Sequence, residues 1–146
     1  MIEVRETAAF SDWLARLRDP RAKAEVARRV RRLALGNPGD VKPLGAGVSM
    51  TIETRPFDPA AYLDSPEAML AYLDGAFADG DAAEIADALG VIARARGMSH
   101  LAEETGLTRQ ALYKALSSEG NPEFVTVLKV IRALGFRLHP GRASAA

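Results

Sequence analysis

Between Met98 and Leu116 the chain reads MSHLAEETGLTRQALYKAL, a run whose apolar spacing fits two short helices joined by a glycine turn. Gly106 supplies the positive φ that such a tight turn requires, and Ala102 is small where the two helices would cross. Leu101, Leu107, Leu112 and Leu116 can close a small core beneath the pair. Thr108 is placed to cap the second helix, which leaves Arg109, Gln110, Tyr113, Lys114 and Ser117 on its outward face. These residue types hydrogen-bond base edges and phosphates, so the segment 98–117 reads as a DNA-reading helix-turn-helix. An ordinary helical hairpin shares the same small-residue and glycine spacing and stands as the bland alternative.

Net charge is zero over 146 residues, a value that conceals a division along the chain. Residues 1–49 carry ten Lys/Arg against six Asp/Glu, whereas residues 50–146 carry nine against thirteen, so the two parts are expected to attract one another. Within the second part, residues 50–97 hold nine acids and three arginines, and residues 98–146 hold six Lys/Arg and four acids. The modest basic surplus coincides with the proposed recognition helix and the segment C-terminal to it, where phosphates would lie.

Two blocks emerge from the periodicity. The first opens on a strand-like Ile2–Arg5, followed by a helix with Phe10, Trp13, Leu14 and Leu17 at helical spacing. Asp19-Pro20 starts a second helix whose Val26, Val30 and Leu33 form an apolar stripe, with Arg28, Arg29, Arg31 and Arg32 clustered around it as a solvated basic face. Gly36-Asn37-Pro38-Gly39 ends that helix, and Val41 to Ser49, interrupted by Pro43, Gly45 and Gly47, reads as loop or weak strand.

The second block predicts five helices. Ser65-Pro66-Glu67 starts the first, with Met69, Leu70, Leu73 and Phe77 inward, Gly75 weakening it slightly and Gly80 stopping it. Asp81 with Glu84 resembles a capping box for the next, where Ile85, Leu89 and Ile92 face inward and Gly97 terminates. After the helix-turn-helix, Asn121-Pro122 caps a last helix carrying Phe124, Val127, Leu128, Ile131 and Leu134, with Gly135 as its αL terminator. Phe136-Arg137-Leu138 alternates like a short terminal strand, and Gly141 to Ala146 looks like a loose tail.

The chemical inventory is thin. No cysteine is present, and the N-terminus MIEVRETAAF lacks the apolar run of a signal peptide, which suits the cytoplasm. His100 and His139 have no serine or carboxylate constellation beside them, metal-ligand clusters and a Gly-rich phosphate loop are missing, and no cofactor is called for. Residues 1–49 contain neither histidine nor tyrosine, so general acid/base catalysis on RNA has little to work with there, and the expectation is that the chain is not an enzyme.

From Met50 to about His139 the chain closely resembles the HigA-like antitoxins of bacterial toxin-antitoxin operons. The carriers are TRPFDPAAYLDSPEAMLAYL (Thr54–Leu73), IARARGMSHLAEETGLTRQALYKALS (Ile92–Ser117) and GNPEFVTVLKVIRALGFRL (Gly120–Leu138). From Met1 to about Ser49 it resembles the first third to half of a HigB-like toxin of the RelE superfamily, through FSDWLARLRDPRAKAEVARRVRRLALGNPGDVKPLGAGVS (Phe10–Ser49). In that toxin family the segment after the GVS run supplies the remaining strands and the groups that cleave mRNA; here Gly47–Ser49 runs straight into Met50. The expected organisation is therefore a truncated toxin fragment over 1–49 fused to an antitoxin over 50–146.

On these resemblances the fold would be mainly α, a five-helix lambda-repressor-like helix-turn-helix domain with a short C-terminal strand, preceded by a β-α-α fragment. The resemblance implies that Arg109, Gln110, Tyr113 and Lys114 enter the major groove of operator DNA, with Thr108 and Ser117 available for phosphate or base contacts. It further implies a homodimer that represses its own operon and a HigB-like toxin as possible partner; the last helix and Phe136–Leu138 are the candidate dimer surface. A toxin fragment stripped of its sheet would leave apolar helix faces uncovered, so its helices should pack on the antitoxin block or on a second copy. Two rivals remain: an interaction protein that sequesters a toxin through the acidic Asp58–Asp87 region with little DNA binding, and a residual mRNA interferase silenced in cis.

Overall fold

A computed structural model of the chain describes residues 2–36 and 53–143. The predicted loop or weak strand at Val41–Ser49, the Ser49/Met50 junction and the last residues of the tail, 144–146, lie outside the described residues.

The chain begins with strand β1 (Arg5–Thr7), whose last residue also caps helix α1 (Ala8–Arg16): the Thr7 hydroxyl accepts from the Phe10 amide at 3.2 Å. Helix α2 (Pro20–Ala34) follows, with Asp19 accepting from the Arg21 amide at 2.9 Å and Pro20 in the first turn, as the Asp-Pro pair predicts. Strand β2 (Thr54–Pro56) pairs antiparallel with β1, Glu6 opposite Arg55, and a 3-10 turn (Pro59–Tyr62) leads into five α-helices. These are α3 (Pro66–Asp79), α4 (Ala82–Arg96), α5 (Met98–Thr105), α6 (Arg109–Ala115) and α7 (Phe124–Ala133). Ser65 caps α3 and Asp81 caps α4 through the predicted side-chain bonds, and Gly80 closes α3 at φ 74°. No helix among the described residues is long and apolar enough to cross a membrane.

Helix α4 is the hub. Its stretch from Ala86 to Ala93 is buried all round, and one apolar cluster runs from Leu14, Ala24 and Ala27 of the N-terminal helices through Tyr72 and Ile92 to Leu112 and Ile131. The N-terminal helices thus share the core of the five-helix block, although Trp13 of the expected apolar face stays 52% exposed. Aromatic contacts reinforce the join, with Phe57 stacked on Tyr62 at 5.5 Å and Phe10 at 6.3 Å from Phe57.

The face α2 buries is not the expected one. Val26, Val30 and Leu33 are only half-buried, whereas Ala24 and Ala27 are fully buried and Lys23 and Arg28 lie in the interface with them. Alanines let α2 approach α3 closely, and the arginines expected to be solvated reach around the contact to acids of α3 and α4. Arg31 grips Asp87 with two hydrogen bonds of 2.9 and 2.6 Å, Arg28 pairs with Asp79, and Arg32 reaches Glu84 at 3.2 Å. Lys23 donates to Asp64 at 3.1 Å, while Arg29 alone of the cluster is largely solvated. Hydrogen bonding to Asp87 holds the Arg31 guanidinium above its ordinary pKa against the opposing effect of burial. Gly75, expected only to weaken α3, makes the room this needs: a Cβ there would lie 2.5 Å from Arg28 Nε.

A second polar knot joins the same two parts. Buried Glu6 accepts from Tyr62 Oη and from Arg55 Nε, the latter at 3.0 Å, and Ser11 Oγ lies 3.1 Å from Tyr62 Oη. Burial, then the Glu6 carboxylate, pushes the Tyr62 phenol up in pKa, so it keeps its proton and donates.

Three boundaries differ from expectation. The first strand is Arg5–Thr7 rather than Ile2–Arg5, because pairing with Thr54–Pro56 selects the register. Helix α7 starts two residues late, with Glu123 at its N-cap rather than Asn121-Pro122. The C-terminal strand at Phe136–Leu138 does not form. Gly135 takes φ 83° and the Phe136 amide donates back to Ile131 O at 3.0 Å, a Schellman closure that ties Phe136 to the helix end, and no partner strand is present among the described residues.

Candidate nucleic-acid interface

Helices α5 and α6 form the expected pair of short helices joined by a glycine turn. Gly106 closes α5 in the left-handed region at φ 71°, its amide donating to Ala102 O at 3.0 Å, and three residues separate α5 from α6. Thr108 then caps α6, its hydroxyl oxygen accepting from the Ala111 amide at 3.0 Å. Leu101, Leu112 and Leu116 are buried and Leu107 half-buried, so α6 is clamped along one side.

The opposite side is bare. Thr108, Arg109, Gln110 and Lys114 are exposed, and Tyr113 keeps 45% of its surface in solvent despite its aromatic ring. Among the described residues no hydrogen bond or ion pair ties the Arg109, Gln110 or Lys114 side chains to the rest of the protein, which leaves their donors presented outward. Thr108 uses an oxygen lone pair for capping and keeps its hydroxyl proton for an outside acceptor. Ser117 is different: it is half-buried beyond the end of α6, and its hydroxyl donates to Lys114 O at 3.2 Å. On α5, His100 lies 3.0 Å from Glu104 one turn on, so a carboxylate stands beside it where the sequence suggested none, and both side chains are exposed. Among the described residues no group of three or more His, Asp or Glu could hold a metal.

Two glycines that carry no signal in the sequence fix where α6 sits. Gly90, deep in α4, lies against the C-terminal end of α6, where a Cβ would come within 2.0 Å of Leu116 O. Gly120 closes on the same helix end from the other direction, its hypothetical Cβ 2.2 Å from Ala115 O. Neither glycine has a positive φ; what each requires is close backbone approach. In sequence Gly90 looks like a mild helix weakener, and nothing local reveals the carbonyl beside it.

Comparison with known proteins covers the segment that contains α5 and α6. The family model of the probable addiction module antidote proteins matches residues 53–141, from the start of β2 past the end of α7. A protein of Haemophilus influenzae, described as uncharacterized, is 46% identical over 88 residues, covering 60% of this chain and 91% of its own length. A second uncharacterized protein of the same organism is 40% identical over 47 residues, 32% of this chain and 48% of that protein. No solved structure matches. With α3 to α7 all inside the matched span, the chain belongs to the family of probable addiction module antidote proteins.

Proposed function

We propose that the chain is a sequence-specific DNA-binding antitoxin that represses its own operon as a homodimer, a HigA-like antidote carrying an inactive HigB-like toxin fragment over residues 1–49. The observation that carries this reading is the row of unengaged polar side chains on α6, Arg109, Gln110, Tyr113 and Lys114, on a helix whose other side is fixed by buried leucines. Such a helix can enter a major groove without unfolding or baring core. Arg109 and Gln110, at the first turn, are the base readers, since a recognition helix contacts base edges with its N-terminal residues. Thr108 fits a phosphate contact through its free hydroxyl proton, Ser117 does so only by giving up its bond to Lys114 O, and Lys114 and Tyr113 fit the backbone further along. Membership in an antidote family implies a toxin partner. A lambda-repressor-like arrangement, with α4 to α7 as its helical core, and a cytoplasmic location belong to the same reading.

The first turn of α7 supports dimerisation, because Phe124 and Val125 stay 67% and 53% exposed beside half-buried Leu128. A two-fold dimer through this patch would set the recognition helices about 34 Å apart on a near-palindromic site. An inactive fragment is favoured by the engagement of Arg28, Arg31 and Arg32 with acids of α3 and α4, which removes those cations from any scissile phosphate. The same ion pairs favour the repressor over a freely available acidic sequestering surface.

Retardation of a fragment carrying the promoter of the chain's own gene tests the proposal. Arg109→Ala and Gln110→Ala are each expected to cost about 1–3 kcal/mol at the cognate site and far less on random DNA, whereas Lys114→Ala weakens both alike. Absence of sequence-selective, salt-dependent retardation by the unmodified chain refutes the repressor; equal losses for all three substitutions refute the division of roles.

A further inference from the structure

We infer that the acidic cleft between α3 and α4 is a receptor for a basic amphipathic helix of another protein, and that α2 is a tethered occupant that keeps it closed in cis. The inference rests on the antidote reading and adds to it where the partner protein docks and how that docking is regulated.

Helix α2 meets the cleft in a way a partner helix would. Small residues, Ala24 and Ala27, form the contact line, and Arg28, Arg31 and Arg32, spaced so that they share one side of the helix, reach Asp79, Asp87 and Glu84. Gly75 leaves space for the Arg28 side chain. The cleft residues all fall inside the family span of 53–141, while α2 falls outside it. The Haemophilus influenzae relative aligned over 91% of its length has too little left over to supply a helical pair of its own. A cleft that lies inside the family span, filled by an arginine-bearing helix that lies outside it, points to an occupant that elsewhere comes in trans. The fit defines the partner's chemistry: a protein presenting a basic helix with alanine-sized residues on its docking side and arginines three and four positions apart. Tethering gives α2 an effective concentration in the millimolar range, so an outside helix of equal intrinsic affinity is largely excluded.

The probe is a labelled peptide of residues 19–35, which carries α2 with its own caps. Its binding to the full chain is compared by fluorescence anisotropy with binding to the full-length Arg28→Glu/Arg31→Glu variant, whose own helix is repelled from Asp79 and Asp87. The variant is expected to bind the peptide at least about tenfold more tightly than the unmodified chain. Adding Asp79→Lys/Asp87→Lys is expected to abolish the gain. Equal binding to unmodified and Arg28→Glu/Arg31→Glu chains, or binding that survives reversal of the acids, overturns the inference. Should circular dichroism show the variant unfolded, a chain with a protease site inserted between residues 37 and 52 is nicked and challenged with the peptide. Uptake by the nicked but not the intact chain supports an exchangeable cleft, and no uptake overturns it. Operator retardation is measured on the same preparations: DNA binding without peptide exchange removes the docking inference alone, and exchange without DNA binding removes the repressor alone.

Discussion

Replacing Asp87 with alanine is expected to lower the unfolding free energy by about 3–5 kcal/mol, read as a shift of the urea midpoint at unchanged slope. Asp87 keeps only 6% of its side-chain surface, and Arg31, at 19%, donates to it twice. Truncation leaves the guanidinium in the interface with its strongest acceptor gone, and the cost is that of an uncompensated charge rather than of a lost contact. The residual exposure of Arg31 places the value toward the lower end. Replacing both partners with apolar residues of similar size, Arg31→Met with Asp87→Leu, is expected to recover most of the loss, since neither charge then needs burying. A double substitution as damaging as the sum of the single ones would mean that the pair is not coupled in the folded protein.

The second large effect is expected from Gly90→Ala, where propensity and packing predict opposite signs. In an exposed helix interior the substitution would stabilise by about 1 kcal/mol. In α4 the added methyl meets Leu116 O, a backbone atom that cannot rotate aside, at 2.0 Å, so α6 must shift or α4 must bend. Overpacking of this kind costs about 1–3 kcal/mol, and a net loss is the expected outcome in thermal or chemical unfolding. Because the displaced element is the proposed recognition helix, operator affinity should fall together with stability, by about tenfold for each 1.4 kcal/mol of misfit carried into the complex. A stabilised Gly90→Ala protein would show that the α4–α6 approach is looser than described.

The α5–turn–α6 pair was readable from the letters because its determinants are local. Gly106 and Thr108 act within four residues of where they stand, and Leu112 and Leu116 are one helical turn apart. The same holds for the caps at Asp19, Ser65 and Asp81. The alternation of Phe136–Leu138 misled because period-2 spacing over three residues carries little weight against a Schellman closure set by Gly135. The docking of α2 was only foreshadowed, by the opposite charges of the two halves. Periodicity favoured Val26, Val30 and Leu33, yet the surface facing α2 is acidic, so alanines and arginines went inward instead.

Local chemistry along the chain sets the helices, their ends and the polar face of α6, all products of interactions within one or two turns. Which face of α2 is buried, how close α4 stands to α6 and that β1 pairs with β2 are settled only when distant segments meet. Those outcomes depend on partners far along the chain, such as Asp87 for Arg31, Arg55 for Glu6 and Leu116 for Gly90, whose proximity no local pattern encodes. Burial then reverses the usual preference: a charge matched by an opposite charge across the contact can enter where an unmatched one is excluded.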